Sequence, residues 1–202
     1  KTISERRIFN PFPGLRPFSP DESHLFFGRE KQSVKILEIL KDNKFVAVLG
    51  TSGSGKSSLV YSGVMPMLHG GFLDDGMTRW NTIRFRPGNQ PLHNLAEFLF
   101  HDQPGEDDEK NARISITINE AILSTGTSGF IEMIQQKIKP GDNLLLLVDQ
   151  FEELFRYRGN GQKPSSLNET EAFVKLLTRI VQHQEIPVHV ILTMRSDYLG
   201  EC

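Results

Sequence analysis

The stretch Gly50-Thr51-Ser52-Gly53-Ser54-Gly55-Lys56-Ser57 carries the clearest chemistry of this chain. Four free positions separate Gly50 from Gly55, and a lysine and a hydroxyl follow. That is the pattern of a phosphate-binding loop, Walker A. Glycines let backbone wrap closely around a phosphate, and a following helix offers unpaired N–H groups and partial positive charge. Lys56 is placed to reach the β- and γ-phosphates, and Ser57 to ligate Mg²⁺. The apolar run Phe45–Leu49 precedes the loop and reads as a strand. Ser58 to Val64 follows and is compatible with a helix. A plain Gly/Ser turn would have no reason to sit between those two elements.

A phosphate loop alone does not define a reaction. Leu144-Leu145-Leu146-Leu147-Val148-Asp149-Gln150-Phe151-Glu152-Glu153 adds the second part. Its aliphatic run reads as a strand buried on both faces. Asp149, at its carboxyl end, is expected to face the loop and hold Mg²⁺ directly or through water, beside Ser57. Glu152 and Glu153 lie just beyond, and one of them could polarise an attacking water. Glu153 is preferred and Glu152 is the alternative, because spacing alone does not aim a side chain. The third part is Val188-His189-Val190-Ile191-Leu192-Thr193-Met194-Arg195-Ser196-Asp197. A strand ending in a polar residue and Arg195 suits a sensor of the γ-phosphate. Arg195 could instead serve a structural ion pair.

Further elements must position these groups. Pro11, Pro13, Pro17 and Pro20 alternate with Phe9, Phe12 and Phe18, which predicts an extended arm packed on a body. Ser19-Pro20-Asp21-Glu22 reads as a helix start with Glu22 closing a capping box, for a short helix to Phe26. Residues 30–41 show helical spacing of Val34, Ile36, Leu37 and Leu40. Strands are expected at 82–86 and 188–193. Helices are expected at 91–100, over the Phe130–Ile138 stretch up to Pro140-Gly141, and from a cap at Asn168 and Glu171 to Gln184. Surface loops are expected at 103–112 and 158–166. Ile114, Ile116 and Ile118 alternate like a strand, yet Asn119 to Leu123 favours helix; both readings stay open. Arg84 and Arg86 either follow the outward phase of their strand or sit near the ligand edge. Strands alternating with helices imply an α/β fold with a mainly parallel sheet covered on both faces. The division expected is an arm over 1–29 and a core over 30–202.

Composition sets outer bounds. The chain has 202 residues, 38% hydrophobic and 24% charged, which suits one globular domain with an arm. The net charge of -2 speaks against nucleic acid as a partner. Cys202 is the single cysteine, so no disulfide framework forms within the chain, which fits a cytoplasmic setting. No apolar run approaches the roughly 20 residues of a membrane helix, and no membrane is expected as a partner. No secretory-signal pattern opens the sequence. The sequence begins at Lys1 rather than Met and stops two residues after Gly200, so both ends read as cuts through something longer. His93, His101, His183 and His189 lack metal-ligand spacing, and the acidic patch from Glu106 to Glu109 reads as a solvated loop.

Taken in order, Asn10-Pro11-Phe12-Pro13-Gly14-Leu15-Arg16-Pro17-Phe18, Phe26-Phe27-Gly28-Arg29-Glu30, the glycine-rich loop, Asp149-Gln150-Phe151-Glu152-Glu153-Leu154-Phe155 and Leu192-Thr193-Met194-Arg195-Ser196-Asp197-Tyr198-Leu199-Gly200 form one set. This set resembles the novel STAND NTPase domain, a branch of the signal-transduction ATPases with numerous domains, over about Asn10 to Gly200. The resemblance implies a three-layer P-loop NTPase of the ASCE type, with a strand inserted between the strands of the loop and of Asp149. It implies that Phe27, Gly28 and Arg29 lie near adenine and ribose, although Arg29 and Glu30 would also suit a plain helix-start ion pair. Gly50, Ser52, Gly53, Ser54, Gly55, Lys56, Ser57 and Ser58 complete the expected nucleotide set. It further implies a following strand, a helical lid and a winged-helix-like module beyond this sequence.

The function expected is a regulatory switch. ATP or ADP with Mg²⁺ would bind between the loop, Asp149, Arg195 and the Arg29 region. Exchange or hydrolysis would shift attached domains of the same polypeptide and control homo-oligomerisation in signalling or defence. The rival is a nucleotide-stabilised scaffold that hydrolyses poorly. A weaker third reading is an ATPase acting on nucleic acid, which the net charge disfavours.

Overall fold

The computed structural model describes residues 13–14, 16–73, 79–101, 109–156, 164–183 and 187–201. Phe9, Pro11, Phe12, residues 106–108 of the acidic patch and Cys202 lie outside them.

Four strands build one parallel sheet in the order β1-β4-β3-β2, with β1 at Phe45–Gly50, β2 at Trp80–Phe85, β3 at Asn143–Val148 and β4 at Val188–Arg195. The strand that ends in Arg195 therefore lies between the glycine-loop strand and the Asp149 strand. Leu146 of β3 sits opposite Val190 of β4 and Ile83 of β2. The four leucines of β3 are all buried, because alternate side chains enter opposite layers.

One layer holds α1 (Glu30–Asn43) and a continuous helical run: α2 (Lys56–Ser58), a π-helical segment (Leu59–Val64) and α3 (Met65–His69). Leu37, Leu40, Val60, Val64 and Leu68 pack there with Leu145, Leu147 and Ile191 from the sheet. The opposite layer holds α4 (Pro91–His101), α5 (Glu109–Ser124), α6 (Thr127–Gln135) and α8 (Pro164–Ile180). Leu95, Phe130 and Phe173 pack there on Leu146, Val148 and Leu192. The result is a three-layer α/β fold. A one-turn α7 (Glu153–Arg156) follows β3.

Several expectations are corrected. Residues 109–112, expected in a loop, open α5, and the Ile114–Ile118 stretch is helical. Ile114 and Ile118 are exposed, four residues apart, whereas Ile116, Ile122 and Leu123 face the core. Hydrophobic residues on both sides of a helix mimic a strand's alternation. Helix α8 begins at Pro164, so 164–166 are not loop and Asn168 and Glu171 lie inside the helix. Glu171 instead pairs with Lys175 one turn on, at 2.6 Å. That helix ends at Ile180, four residues short of Gln184.

The arm is tied to the helical run that follows the glycine loop. Pro20–Leu25 forms a 3-10 helix, and the Ser19 backbone N–H donates to Glu22 Oε2 at 2.9 Å, as the capping-box pattern predicts. The Phe18 N–H donates to Ser58 Oγ at 3.2 Å, and Ser62 Oγ donates to the Ser19 carbonyl at 2.7 Å. Phe18 and Phe26 meet edge to face at 5.8 Å.

Candidate functional site

Strand β1 delivers the loop to the carboxyl edge of the sheet, where open α/β sheets bind ligands. Gly53 and Gly55 have φ of 72° and 79°, a left-handed backbone that favours glycine. Gly55 is the residue from which the helix starts, so the first N–H groups of α2 open onto the loop. The Lys56 ammonium folds along the loop and donates to the carbonyls of Gly50 at 3.0 Å and Thr51 at 2.9 Å. Ser54 Oγ is buried and has no hydrogen-bond partner among the described residues.

Asp149 is 1% exposed at the end of β3 and collects hydroxyls from two elements. Ser57 Oγ donates to its Oδ1 at 2.7 Å, and Thr193 Oγ1 donates to the same oxygen at 2.6 Å. Tyr61 donates to Oδ2 at 2.5 Å, and Arg86 Nε stands 3.9 Å from that oxygen. Burial and the neighbouring Asp149 carboxylate push the Tyr61 phenol up, so its proton stays in place as a donor. The parallel register explains the convergence, because the ends of β3 and β4 lie side by side: Val148 is opposite Leu192, and Thr193 comes next.

Past Asp149 the backbone turns through Gln150, whose φ is 60° and whose N–H donates to Thr193 Oγ1 at 3.0 Å. With its side-chain amide turned to satisfy both neighbours, its oxygen accepts from Arg86 at 3.0 Å and its nitrogen donates to Glu153 at 3.1 Å. Glu153 also accepts from the Gly88 N–H at 3.1 Å. Glu152 is 6% exposed and accepts from the Arg195 backbone N–H at 3.2 Å. The Arg195 guanidinium is gripped by Asp197 at 3.1 and 2.5 Å.

These groups surround a cleft of about 440 Å³. Ser52, Gly53, Gly55, Lys56, Ser57 and Ser58 form its loop side; Gln150, Glu152, Thr193 and Arg195 form its sheet side. Glu152 lines this cleft, whereas Glu153 is directed to Gly88. Among the described residues, Arg16, Lys56, Arg86, Arg156 and Arg195 line it with the carboxylate of Glu152; Arg16 is paired with Glu22 and Arg195 with Asp197, and the basic excess that remains suits an anion. Its oxygen donors also suit Mg²⁺, which takes one or two protein oxygens and completes its shell with water and phosphate. Ser57 Oγ and Asp149 Oδ1 supply such a pair. Among the described residues no group of three or more His, Cys, Asp or Glu could hold a metal ion by itself.

Arg29 donates to the Ser54 carbonyl at 3.0 Å and so reaches the back of the loop. Gly28 has φ of 82°, and its N–H donates to Glu30 at 2.9 Å. Phe27 is 75% exposed beside them. Arg84 and Arg86 share one face of β2; Arg86 lines the cleft, and Arg84 lies 4.5 Å over the Tyr61 ring. The sequence reading gave no role to Tyr61, Arg16, Gln150 or Arg156, and left Arg86 open between the outward face of its strand and the ligand edge. Tyr61 had a usable signal, since it stands four residues after Ser57 on one helix face. His93 pairs with Glu120 at 2.8 Å, and His183 Nδ1 is buried without a partner among the described residues.

The family model described as Novel STAND NTPase 1 matches residues 11–202. No curated protein matches the sequence. A chain in the structure of the E. coli MS115-1 HORMA:CdnC:Trip13 complex is similar in fold, with a TM-score of 0.50 and 16% identity over 89% of this chain. The match covers 61% of that longer chain. Among the described residues no helix is long and apolar enough to cross a membrane. The chain belongs to the Novel STAND NTPase 1 family, and with it to the nucleotide-binding P-loop NTPases.

Proposed function

We propose that this chain is a regulatory module that binds ATP with Mg²⁺ and hydrolyses it. The observation that carries this reading is the hydroxyl cluster on Asp149, set beside the 50–57 loop in a cleft lined by five basic side chains. Ser57 and Asp149 would hold Mg²⁺, which neutralises charge on the β- and γ-phosphates. Lys56 would exchange its bonds to the Gly50 and Thr51 carbonyls for phosphate oxygens. Arg195 would stabilise the charge spread over the transferring group. Glu152 faces the cleft and would orient the attacking water; Glu153, bound to Gly88 and Gln150, would brace the turn behind it. Arg29, bonded to the Ser54 carbonyl, and exposed Phe27 two residues before it would lie near the base, as the family resemblance implies. Nucleotide state would then bias attached domains and assembly between copies of the protein.

A hydrolysis-poor scaffold is the second reading. The observation favouring it is that Arg195 is gripped by Asp197 and Glu152 by the Arg195 backbone, so both groups must exchange a partner before acting. Phosphate release and nucleotide binding by the full-length protein separate the two. On the ATPase reading, Lys56→Ala loses binding, Glu152→Gln binds without turnover, and Glu153→Gln retains part of its turnover. Binding without turnover in the parent protein supports the scaffold. Equal binding by parent and Lys56→Ala would sink both.

A further inference from the structure

The carboxylate of Asp149 has no rotamer that fixes its plane. The second torsion of an aspartate is broad and roughly two-fold, so neighbouring donors must set which oxygen faces where. Two hydroxyls meet Oδ1, one from Ser57 on the loop helix and one from Thr193 on β4. Oδ2 is met by Tyr61 at 2.5 Å and, at a longer 3.9 Å, by Arg86. Tyr61 is thus the close partner that opposes rotation of the carboxylate toward Arg86.

Tyr61 is itself held. It lies in the π segment Leu59–Val64, a wider helical turn that often marks a functional site. Its ring is buried, and the Arg84 guanidinium covers it at 4.5 Å. Ser57 and Tyr61 stand one turn apart on the same run, so both hydroxyls reach the same carboxylate from one side. Phenylalanine would fill the space equally well; only the hydroxyl explains the contact to Asp149.

We propose that the Tyr61 hydroxyl is a positioning group for the divalent cation that accompanies the nucleotide: by holding Oδ2 of Asp149 it aims Oδ1 at the Ser57 hydroxyl. This inference rests on the nucleotide reading given above. A cation would take Ser57 Oγ through a lone pair, which leaves the Ser57 O–H donating to Asp149. Tyr61 and Thr193 keep Oδ1 turned toward that hydroxyl and toward the cation's water. Without the phenol, the carboxylate turns toward Arg86 and the cation loses a preformed partner, while the phosphate contacts of Lys56 and the loop amides remain.

The test is equilibrium binding of a fluorescent ATP analogue to the full-length protein, titrated with Mg²⁺ and repeated in EDTA. Tyr61→Phe should raise the Mg²⁺ concentration for half-maximal binding about 2- to 10-fold, the worth of one hydrogen bond. Its affinity in EDTA should stay within about twofold of the parent. Arg84→Met, which frees the ring but keeps the phenol, should shift the Mg²⁺ midpoint in the same direction by less, and it decides the matter where Tyr61→Phe fails to melt cooperatively. An unmoved Mg²⁺ midpoint overturns the inference, as does an equal loss of binding with and without Mg²⁺, the mark of a merely structural tyrosine. Lys56→Ala serves as the control: a parent protein no better than Lys56→Ala overturns the nucleotide reading, whereas a Mg²⁺-dependent parent with an unmoved Tyr61→Phe overturns only the role of Tyr61.

Discussion

Gly63 is the position where the helical run after the loop is most tightly constrained by its neighbours. A Cβ there would stand 2.3 Å from Ser33 Oγ and 3.4 Å from both Ser33 Cβ and Phe26 Cε1. Ser33 is 1% exposed on α1, and its hydroxyl donates to the Arg29 carbonyl at 3.2 Å, so it has no solvent to retreat into. Gly63→Ala therefore forces the hydroxyl off its bond or pushes α1 from the helix. Overpacking of this kind costs about 1–3 kcal/mol. For a chain of this size each kcal/mol moves the melting midpoint by about 2–4 °C, so a fall of about 2–12 °C is expected. The double variant Gly63→Ala/Ser33→Ala removes the 2.3 Å contact and leaves only the 3.4 Å ones. It should melt close to Ser33→Ala alone, giving a stabilising coupling of about 1 kcal/mol or more in a double-mutant cycle. Thermal melts of the four proteins, followed by circular dichroism, measure it. Additive losses would refute the reasoning, because the clash would then lie elsewhere.

Three other outcomes follow from burial. Phe173 is fully buried on α8 and meets Phe85 edge to face at 5.9 Å, so Phe173→Ala should cost about 3–5 kcal/mol in urea unfolding; a loss under about 1 kcal/mol would contradict the core assignment. Thr193→Val keeps the shape but strips the acceptor of the Gln150 N–H and a donor to Asp149, for about 2 kcal/mol or more, and Thr193→Ser should restore most of it. His189 is buried against Trp80, and desolvation, aided by the nearby Lys44 charge, lowers its pKa to about 4. The unfolded chain binds that proton more readily, so the stability held above about pH 6.5 is lost as pH falls toward 4, by about 2 kcal/mol at pH 5. His189→Gln should flatten this slope between pH 7 and 5; an unchanged slope would assign the proton uptake to another group.

Most of the sheet was legible because three of its four strands are largely apolar runs with no competing pattern, while β2 alternates Ile83 and Phe85 with polar neighbours. Leu144–Val148 and Val188–Thr193 admit no amphipathic helix, and β-branched or leucine-rich runs of that length read as buried strands. The loop was legible because its glycines and Lys56 answer to local backbone geometry. The segment from Glu109 to Ser124 was not, because Ile114, Ile116 and Ile118 occupy opposite sides of one helix and two of the three are exposed. Helix α8 starts early because Pro164 suits a first turn, and neither Asn168 nor Glu171 was needed as a cap. Within the site, Asp149 and Arg195 declared themselves by ending strands. Tyr61 and Arg16 depend on how separate elements meet around Asp149 and the cleft, which spacing along the chain does not encode, and for the same reason the two readings of Arg86 stayed open.

The bonds around the cleft divide into two sets with different consequences. Ser57 and Tyr61 join the loop helix to Asp149 at the end of β3. The arm, by contrast, is bonded to that helix and its loop: Phe18 to Ser58, Ser62 to Ser19, and Arg29 to the Ser54 carbonyl. On the proposed reading, a cation held at Ser57 and Asp149 acts on the first set of bonds and on none of the second. Any shift of the helix against the sheet then carries the arm with it, because three hydrogen bonds and the packing of Phe26 on the cluster of Val60 and Val64 resist separation. A ligand moves such an equilibrium only by its differential affinity for the two arrangements. A change of about 1 kcal/mol in these bonds would shift it several-fold, so on that reading the Asp149 junction would bias the helix against the sheet without rearranging the core.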